Sequence, residues 1–184
     1  KELRRIDSYI ENVLYYSRIE STGKDYIIKP VQIGKVFRNA ALKNRSELLG
    51  MNISINTDGL DKTVTTDEKW LEFIFGQLIS NSMKYMSDLC DSEIKVYTEE
   101  KTDCVILHFY DNGIGISASD LPYIFDKSYT GENGRTHSRS TGMGLYIVKS
   151  LCTKLGHKIT AESLRGEFTD IIIKFGKNGH VRPE

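Results

Sequence analysis

The chain has 184 residues, 39% of them hydrophobic, which suits one large domain or one domain with an appendage. Its 25 basic and 25 acidic residues are interspersed and cancel to a net charge of +0, which argues against a dedicated nucleic-acid binder. Scattered Cys90, Cys104 and Cys152 read as free thiols of a reducing cytosol, His108, His137, His157 and His180 lack zinc-ligand spacing, and no run of about 18 apolar residues predicts a membrane span.

The chain opens inside a helical pattern, without Met or a signal peptide, and reads as a fragment of a longer protein. Leu3, Ile6, Ile10, Val13 and Leu14 fall on one stripe and predict a helix over 1–20, ended by a break at 21–25. Tyr26–Ile28 is a short strand, and a helix follows from Val31 to Leu49, with Gly50 as its stop. Strands are expected at Asn52–Asn56 and Thr63–Thr65. Asp67 caps a long helix that reaches Met86. Glu93–Glu99 and Cys104–Tyr110, joined by the polar turn 100–103, predict an antiparallel hairpin. Ser117–Phe125 is a short helix, 126–140 a mobile loop and Gly142–Leu155 a helix. Lys158–Ser163 and Thr169–Phe175 form a second hairpin before a loose tail. This order predicts an α+β sandwich, one mixed sheet under a helical layer, and not a doubly wound parallel sheet.

Two glycine pairs carry the first chemical signal. Asp111-Asn112-Gly113-Ile114-Gly115-Ile116 and Thr141-Gly142-Met143-Gly144-Leu145 each open an apolar helical pattern. Glycine lets backbone N–H groups approach phosphates, and a helix N-terminus favours anions. On the helix from Asp67, Gln77, Asn81, Lys84 and Tyr85 cluster on one side, with Leu71, Phe75, Leu78, Ile79, Ser82 and Met86 on the other. A plain surface helix also has a polar side, and Trp70 and Ile74 nearby fit packing equally well. The chemical types nonetheless suit a site, because an Asn amide oxygen ligates Mg²⁺ and a Lys neutralises phosphate. Asp111 can accept a hydrogen bond from an exocyclic amine such as adenine N6, or simply be a solvated turn residue. The loop from Tyr129 to Ser140, with its glycines, hydroxyls and two arginines, has the composition of a lid, or of a disordered loop. No Walker A, eukaryotic-kinase or nucleophile-elbow motif occurs.

Four segments in order resemble the boxes of bacterial sensor histidine kinases. Ser80-Asn81-Ser82-Met83-Lys84-Tyr85 resembles the N box and Asp111–Ile116 the G1 box. Tyr123-Ile124-Phe125-Asp126-Lys127 resembles the F box and Gly142-Met143-Gly144-Leu145 the G2 box. Phe125–Arg135 and Ser140–Tyr146 are similar to the bacitracin-resistance, intramembrane-sensing subfamily. The resemblance implies a Bergerat-type two-layer sandwich over 23–176, in which a mixed, mostly antiparallel sheet lies under helices. It implies a remnant of the second dimerisation helix at 1–22 and a tail at 177–184.

In function, the resemblance implies ATP and Mg²⁺ as cofactors. Asn81 would hold the metal, Lys84 and Tyr85 would lie near the nucleotide, and Asp111 would bind adenine N6. Gly113, Gly115 and Ile116 would pass the base and ribose, and Thr141, Gly142, Met143, Gly144 and Leu145 would meet the phosphates. Thr169 resembles the Thr that supports the adenine-binding Asp, although Glu167-Phe168-Thr169-Asp170 departs from the usual Gly-Thr pattern. It further implies a cytoplasmic domain of a bacterial membrane protein, a homodimer through the N-terminal helix, a response regulator as partner and an ABC transporter as a second one.

Two departures bear on activity. Gln77 stands where the Hsp90, gyrase and MutL ATPases use a Glu to activate water, and a neutral amide is no base. This favours phosphoryl transfer to a protein histidine over the competing reading of an ATP-driven machine; a nucleotide-binding scaffold without catalysis is the third. No His of this chain has the acidic neighbour and helical context of the phosphoacceptor, so the fragment is not expected to autophosphorylate.

Overall fold

The computed structural model describes residues 26–87, 91–131 and 141–177. The predicted helix over 1–20, the break after it, most of the predicted lid and the tail beyond 177 lie outside the described residues.

Among the described residues, seven strands form two sheets. A ribbon pairs β1 (Ile28–Gln32) antiparallel with β3 (Thr63–Asp67). The main sheet has the order β2-β4-β5-β7-β6, from β2 (Ser54–Asp58), β4 (Glu93–Glu100), β5 (Cys104–Asp111), β6 (Lys158–Leu164) and β7 (Phe168–Gly176). In this sheet β2 and β4 run parallel; the two predicted hairpins are antiparallel, and β5 joins them through β7. Helices α1 (Ile33–Lys43), α3 (Glu68–Tyr85) and α4 (Gly144–Lys154) form the second layer, with short α2 (Arg45–Gly50) after α1. This is the expected α+β sandwich.

Period-two alternation sets the sheet's inner face. Val105, Leu107 and Phe109 of β5 are buried, whereas Ile106, His108 and Tyr110 between them are partly exposed. Ile94 and Val96 of β4, and Ile171, Ile173 and Phe175 of β7, continue that face. Against it α3 lays Leu71, Ile74, Phe75, Leu78 and Ile79 at helical spacing. Phe37 of α1 meets Phe75 edge-on at 5.2 Å and Phe109 at 6.4 Å, tying both helices to the sheet. Each such buried aromatic contributes about 3–5 kcal/mol against truncation to Ala. Ile74, which the angular reading left between site and packing, is 1% exposed and belongs to the core, and Trp70 packs on Tyr26 and Phe73.

Asp67 does cap α3: its Oδ1 accepts from Trp70 N at 3.0 Å, and its Oδ2 accepts from Ile27 N at 2.7 Å. Other boundaries moved. The first strand lies at Ile28–Gln32, because Val31 and Gln32 pair with Val64 and Thr63 instead of starting the helix. The helix expected through Leu49 divides at Asn44, where φ −100° and ψ 5° leave helical geometry and the side-chain amide donates to Ala40 O at 2.8 Å. The helix expected over Ser117–Phe125 shrinks to one 3₁₀ turn, Leu121–Tyr123. Pro122 lacks an N–H there, and i→i+3 bonds such as Tyr123 N to Asp120 O replace the α ladder.

Candidate functional site

Between α3, the ends of β5 and β7, and the start of α4 lies a cleft of about 780 Å³, including its open mouth. Leu78, Phe109, Ile124, Leu145 and Ile171 give it apolar walls. Of the predicted residues, Asn81, Tyr85, Asp111, Gly115, Ile116, Leu145 and Thr169 line it. The few polar groups on apolar walls suit a ligand with an aromatic base.

Asp111 is the most constrained polar group of the cleft. It is 8% exposed at the end of β5. Its Oδ2 accepts from the Ser82 hydroxyl at 2.6 Å, and its Oδ1 accepts from Gly113 N at 3.1 Å. Burial raises its pKa above the ordinary carboxylate value, those two donors oppose the rise, and the charge of Asp170 adds to it. The loop beyond is stitched down on both sides. Ile114 N donates to Tyr85 O at 2.9 Å, and Gly166 N to Ile114 O at 2.8 Å. Ile116 N donates to Ser163 Oγ at 2.8 Å. Gly115 has φ +61°, and a Cβ there would strike the Leu164 carbonyl. Thr169 stands directly across the β5–β7 ladder from Asp111, with its Oγ1 3.3 Å from Ser163 Oγ.

A second cluster faces the N-terminus of α4. A Cβ on Gly144, the first residue of that helix, would lie 3.1 Å from Gln77 Oε1 and 3.7 Å from Asn81 Oδ1. Two amide side chains of α3 thus meet the end where backbone N–H groups lack intrahelical acceptors. Thr141 Oγ1 accepts from Met143 N at 3.4 Å. Gly142 has φ +65°, and a Cβ there would come within 2.6 Å of Tyr129 N and O. The segment before α4 is therefore packed on the stem at Ser128–Tyr129. Lys84 places its ammonium 4.9 Å from the Tyr85 ring centroid. Gln77, Lys84, Gly113, Thr141, Gly142, Met143 and Gly144 stand outside the cleft wall itself, behind or beside the residues that form it.

Several contributors were not anticipated. Ser82 was read only as part of the core-facing side of α3, yet its hydroxyl reaches Asp111. A hydroxyl on an apolar face was the signal, since a buried polar group needs a partner. Asp120 lines the cleft and accepts from the Tyr129 hydroxyl at 2.6 Å. That bond, with Tyr123 against Tyr129 at 5.7 Å, holds the stem that carries Thr130 and Gly131 to the rim. Ser163 has no local signature and works through its cross-strand neighbours.

Chemically, the cleft offers an acceptor carboxylate among apolar side chains, and beside it a helix N-terminus with two amides. The first suits an amine-bearing aromatic base and the second an anionic group.

Residues 66–178 match the family described as histidine kinase-, DNA gyrase B-, and HSP90-like ATPase. The chain is 33% identical over 177 residues to the sensor histidine kinase YxdK of Bacillus subtilis, covering 95% of this chain and 54% of that one. It is 32% identical over 176 residues to the sensor protein kinase GraS of Staphylococcus aureus, covering 95% and 50%. The chain thus spans about half the length of the curated relatives it matches. The crystal structure of histidine kinase ThkA in complex with response regulator protein TrrA shares the fold at TM-score 0.74 and 20% identity, covering 98% of this chain and 50% of that one. By the family match over residues 66–178, the chain belongs to the histidine kinase-, DNA gyrase B- and HSP90-like ATPases.

Proposed function

We propose that this chain is the ATP-binding catalytic part of a sensor histidine kinase that transfers the γ-phosphoryl of ATP to a histidine on a dimerisation helix, and from there to an aspartate of a response regulator. The observation that carries the reading is the buried Asp111, held as an acceptor on one wall of an apolar cleft that Asn81 and the start of α4 also frame. In this reading Asp111 accepts from adenine N6, and Gly113, Gly115 and Ile116 shape the loop around the base and ribose. Thr141, Gly142, Met143, Gly144 and Leu145 bring N–H donors to the phosphates, and Lys84 and Tyr85 lie near them. Thr169 braces the Asp111 end of the sheet from across the ladder. Asn81 is the metal ligand, a hard amide oxygen beside the phosphate-facing helix end, as Mg²⁺ requires. Bound there, Mg²⁺ supplies charge neutralisation on the phosphates. Gln77 orients groups and removes no proton, which separates this reading from an Hsp90- or MutL-type ATPase.

In the intact protein, residues 23–176 serve as the catalytic domain of a homodimer. That protein is anchored in a bacterial membrane with this domain in the cytoplasm, and it works beside an ABC transporter. Among the described residues no helix is long and apolar enough to cross a membrane. Isothermal titration with ADP and Mg²⁺ tests the reading: a folded protein without a binding isotherm sinks it. In a longer protein that includes the upstream helix, acid-labile phosphohistidine is the expected product. ATP hydrolysis without it points to the ATPase reading instead.

A further inference from the structure

Ser82 occupies a place on α3 where helical periodicity asks for a hydrophobe, and it is 2% exposed. A hydroxyl there costs free energy unless it is bonded. Its one donor goes to Asp111 Oδ2 at 2.6 Å, in the short range of a hydroxyl on an ionised carboxylate. Gly113 N takes the other oxygen at 3.1 Å. The two donors come from different elements, a helix and the loop after β5, so together they fix the plane of the carboxyl group. Each oxygen keeps one further acceptor direction. Ser82 and Asp111 both line the cleft.

We propose that Ser82 is a specificity-determining positioning residue, whose hydroxyl holds Asp111 as a fixed hydrogen-bond acceptor and thereby makes the cleft select a 6-aminopurine over a 6-oxopurine. The inference rests on the reading of Asp111 as the group that faces the purine's C6 substituent. Adenine presents an N–H there; hypoxanthine presents an oxygen. A locked acceptor pairs with the first and repels the second. Without Ser82 the carboxyl keeps only the Gly113 anchor, so it turns about its Cβ–Cγ bond. Buried as it is, it also takes up a proton more readily, and the resulting O–H donates to an oxo group. Loss of Ser82 therefore lowers discrimination as well as affinity, which a role in packing alone does not do.

The test is isothermal titration of ADP and IDP, each with Mg²⁺, against the wild type, Ser82→Ala and Ser82→Cys. Cys keeps the side-chain volume but donates weakly, so it reports if the smaller Ala unsettles the helix. Melting curves without nucleotide identify the folded variants. The expected result is ADP binding about tenfold weaker in both and a ratio of IDP to ADP dissociation constants that contracts by about tenfold or more. Wild-type binding of ADP with an unchanged ratio in both variants overturns the role of Ser82 and leaves the site reading standing. A wild type that binds no ADP overturns both.

Discussion

Replacing Asp111 by Asn separates binding from folding, because the two donors on this side chain constrain what an amide does there. Gly113 N is a backbone donor 3.1 Å away and cannot turn, so the amide oxygen must face it. The amide NH₂ then faces Ser82 Oγ, which rotates to accept. Both internal bonds survive. Burial already disfavours the charged form of Asp111, so a neutral isostere costs the fold less than about 1 kcal/mol. On the Ser82 side the outward edge changes sign, with an N–H in place of a lone pair, and the acceptor left on the Gly113 side is neutral. Losing one charge-assisted hydrogen bond is worth about 1.5–3 kcal/mol, or roughly 10- to 150-fold in ADP affinity. Titration calorimetry with ADP and Mg²⁺ measures this, beside a thermal melt of the free protein. An unchanged dissociation constant removes Asp111 from recognition. A melting point lower by more than about 4 °C makes the carboxylate a structural group and refutes the separation.

Three further outcomes follow from particular contacts. Burial lowers the His157 pKa from 6.5 to about 4, while Thr66 Oγ1 sits 2.8 Å from its Nε2. The unfolded chain therefore binds the extra proton first, and stability is full above the unfolded value near 6.5 and falls as pH drops toward 4. Urea unfolding should lose about 2 kcal/mol between pH 7 and pH 5, and His157→Gln should flatten that slope; an equal slope in the variant excludes His157 as its source. Gly142→Ala, with φ +65° and backbone in the way of its Cβ, should cost about 1–3 kcal/mol and weaken ADP binding. Gly166→Ala, at φ +85° but with open space around it, should cost only the strain of about 1 kcal/mol; equal melting points for the two variants would show that the packing on Tyr129 contributes nothing. Asp67→Ala loses acceptors for Trp70 N and Ile27 N and should lower stability by about 1–2 kcal/mol in chemical denaturation, whereas an unchanged midpoint would mean that solvent replaces the cap.

Where hydrophobic spacing is set by one face, the sequence was readable. β5 alternates in burial from Val105 to Asp111, and α3 repeats its apolar residues under an Asp cap, so the sequence reading of both lies within two residues of the observed ends. Misplacement occurred where a competing bond decides. Val31 and Gln32 belong to a ladder whose partner lies about thirty residues away, at Val64 and Thr63, and no local pattern reports that. Asn44 looks like an ordinary helix residue until its amide takes Ala40 O. Ser117–Phe125 carries helical spacing, but Pro122 and a Ser117 hydroxyl on Asp120 N favour tight turns.

The site shows the same division at finer scale. Motif residues that supply backbone, such as Gly115 and Gly142, were legible because their need for glycine is local: a positive φ in a tight place. Residues that act through a neighbour were not. Asp120 matters through Tyr129, Ser163 through Ile116 N and Thr169, and Ser82 through Asp111, pairs separated by 6 to 47 residues. Ser82 is the instructive case, since both facts needed were in the sequence: a hydroxyl on the apolar side of a long helix, and an acidic residue ending a strand. What the sequence lacked was their separation. Only when α3 is laid across β5 do they come to 2.6 Å, and only then does a core position become part of how the cleft reads a base.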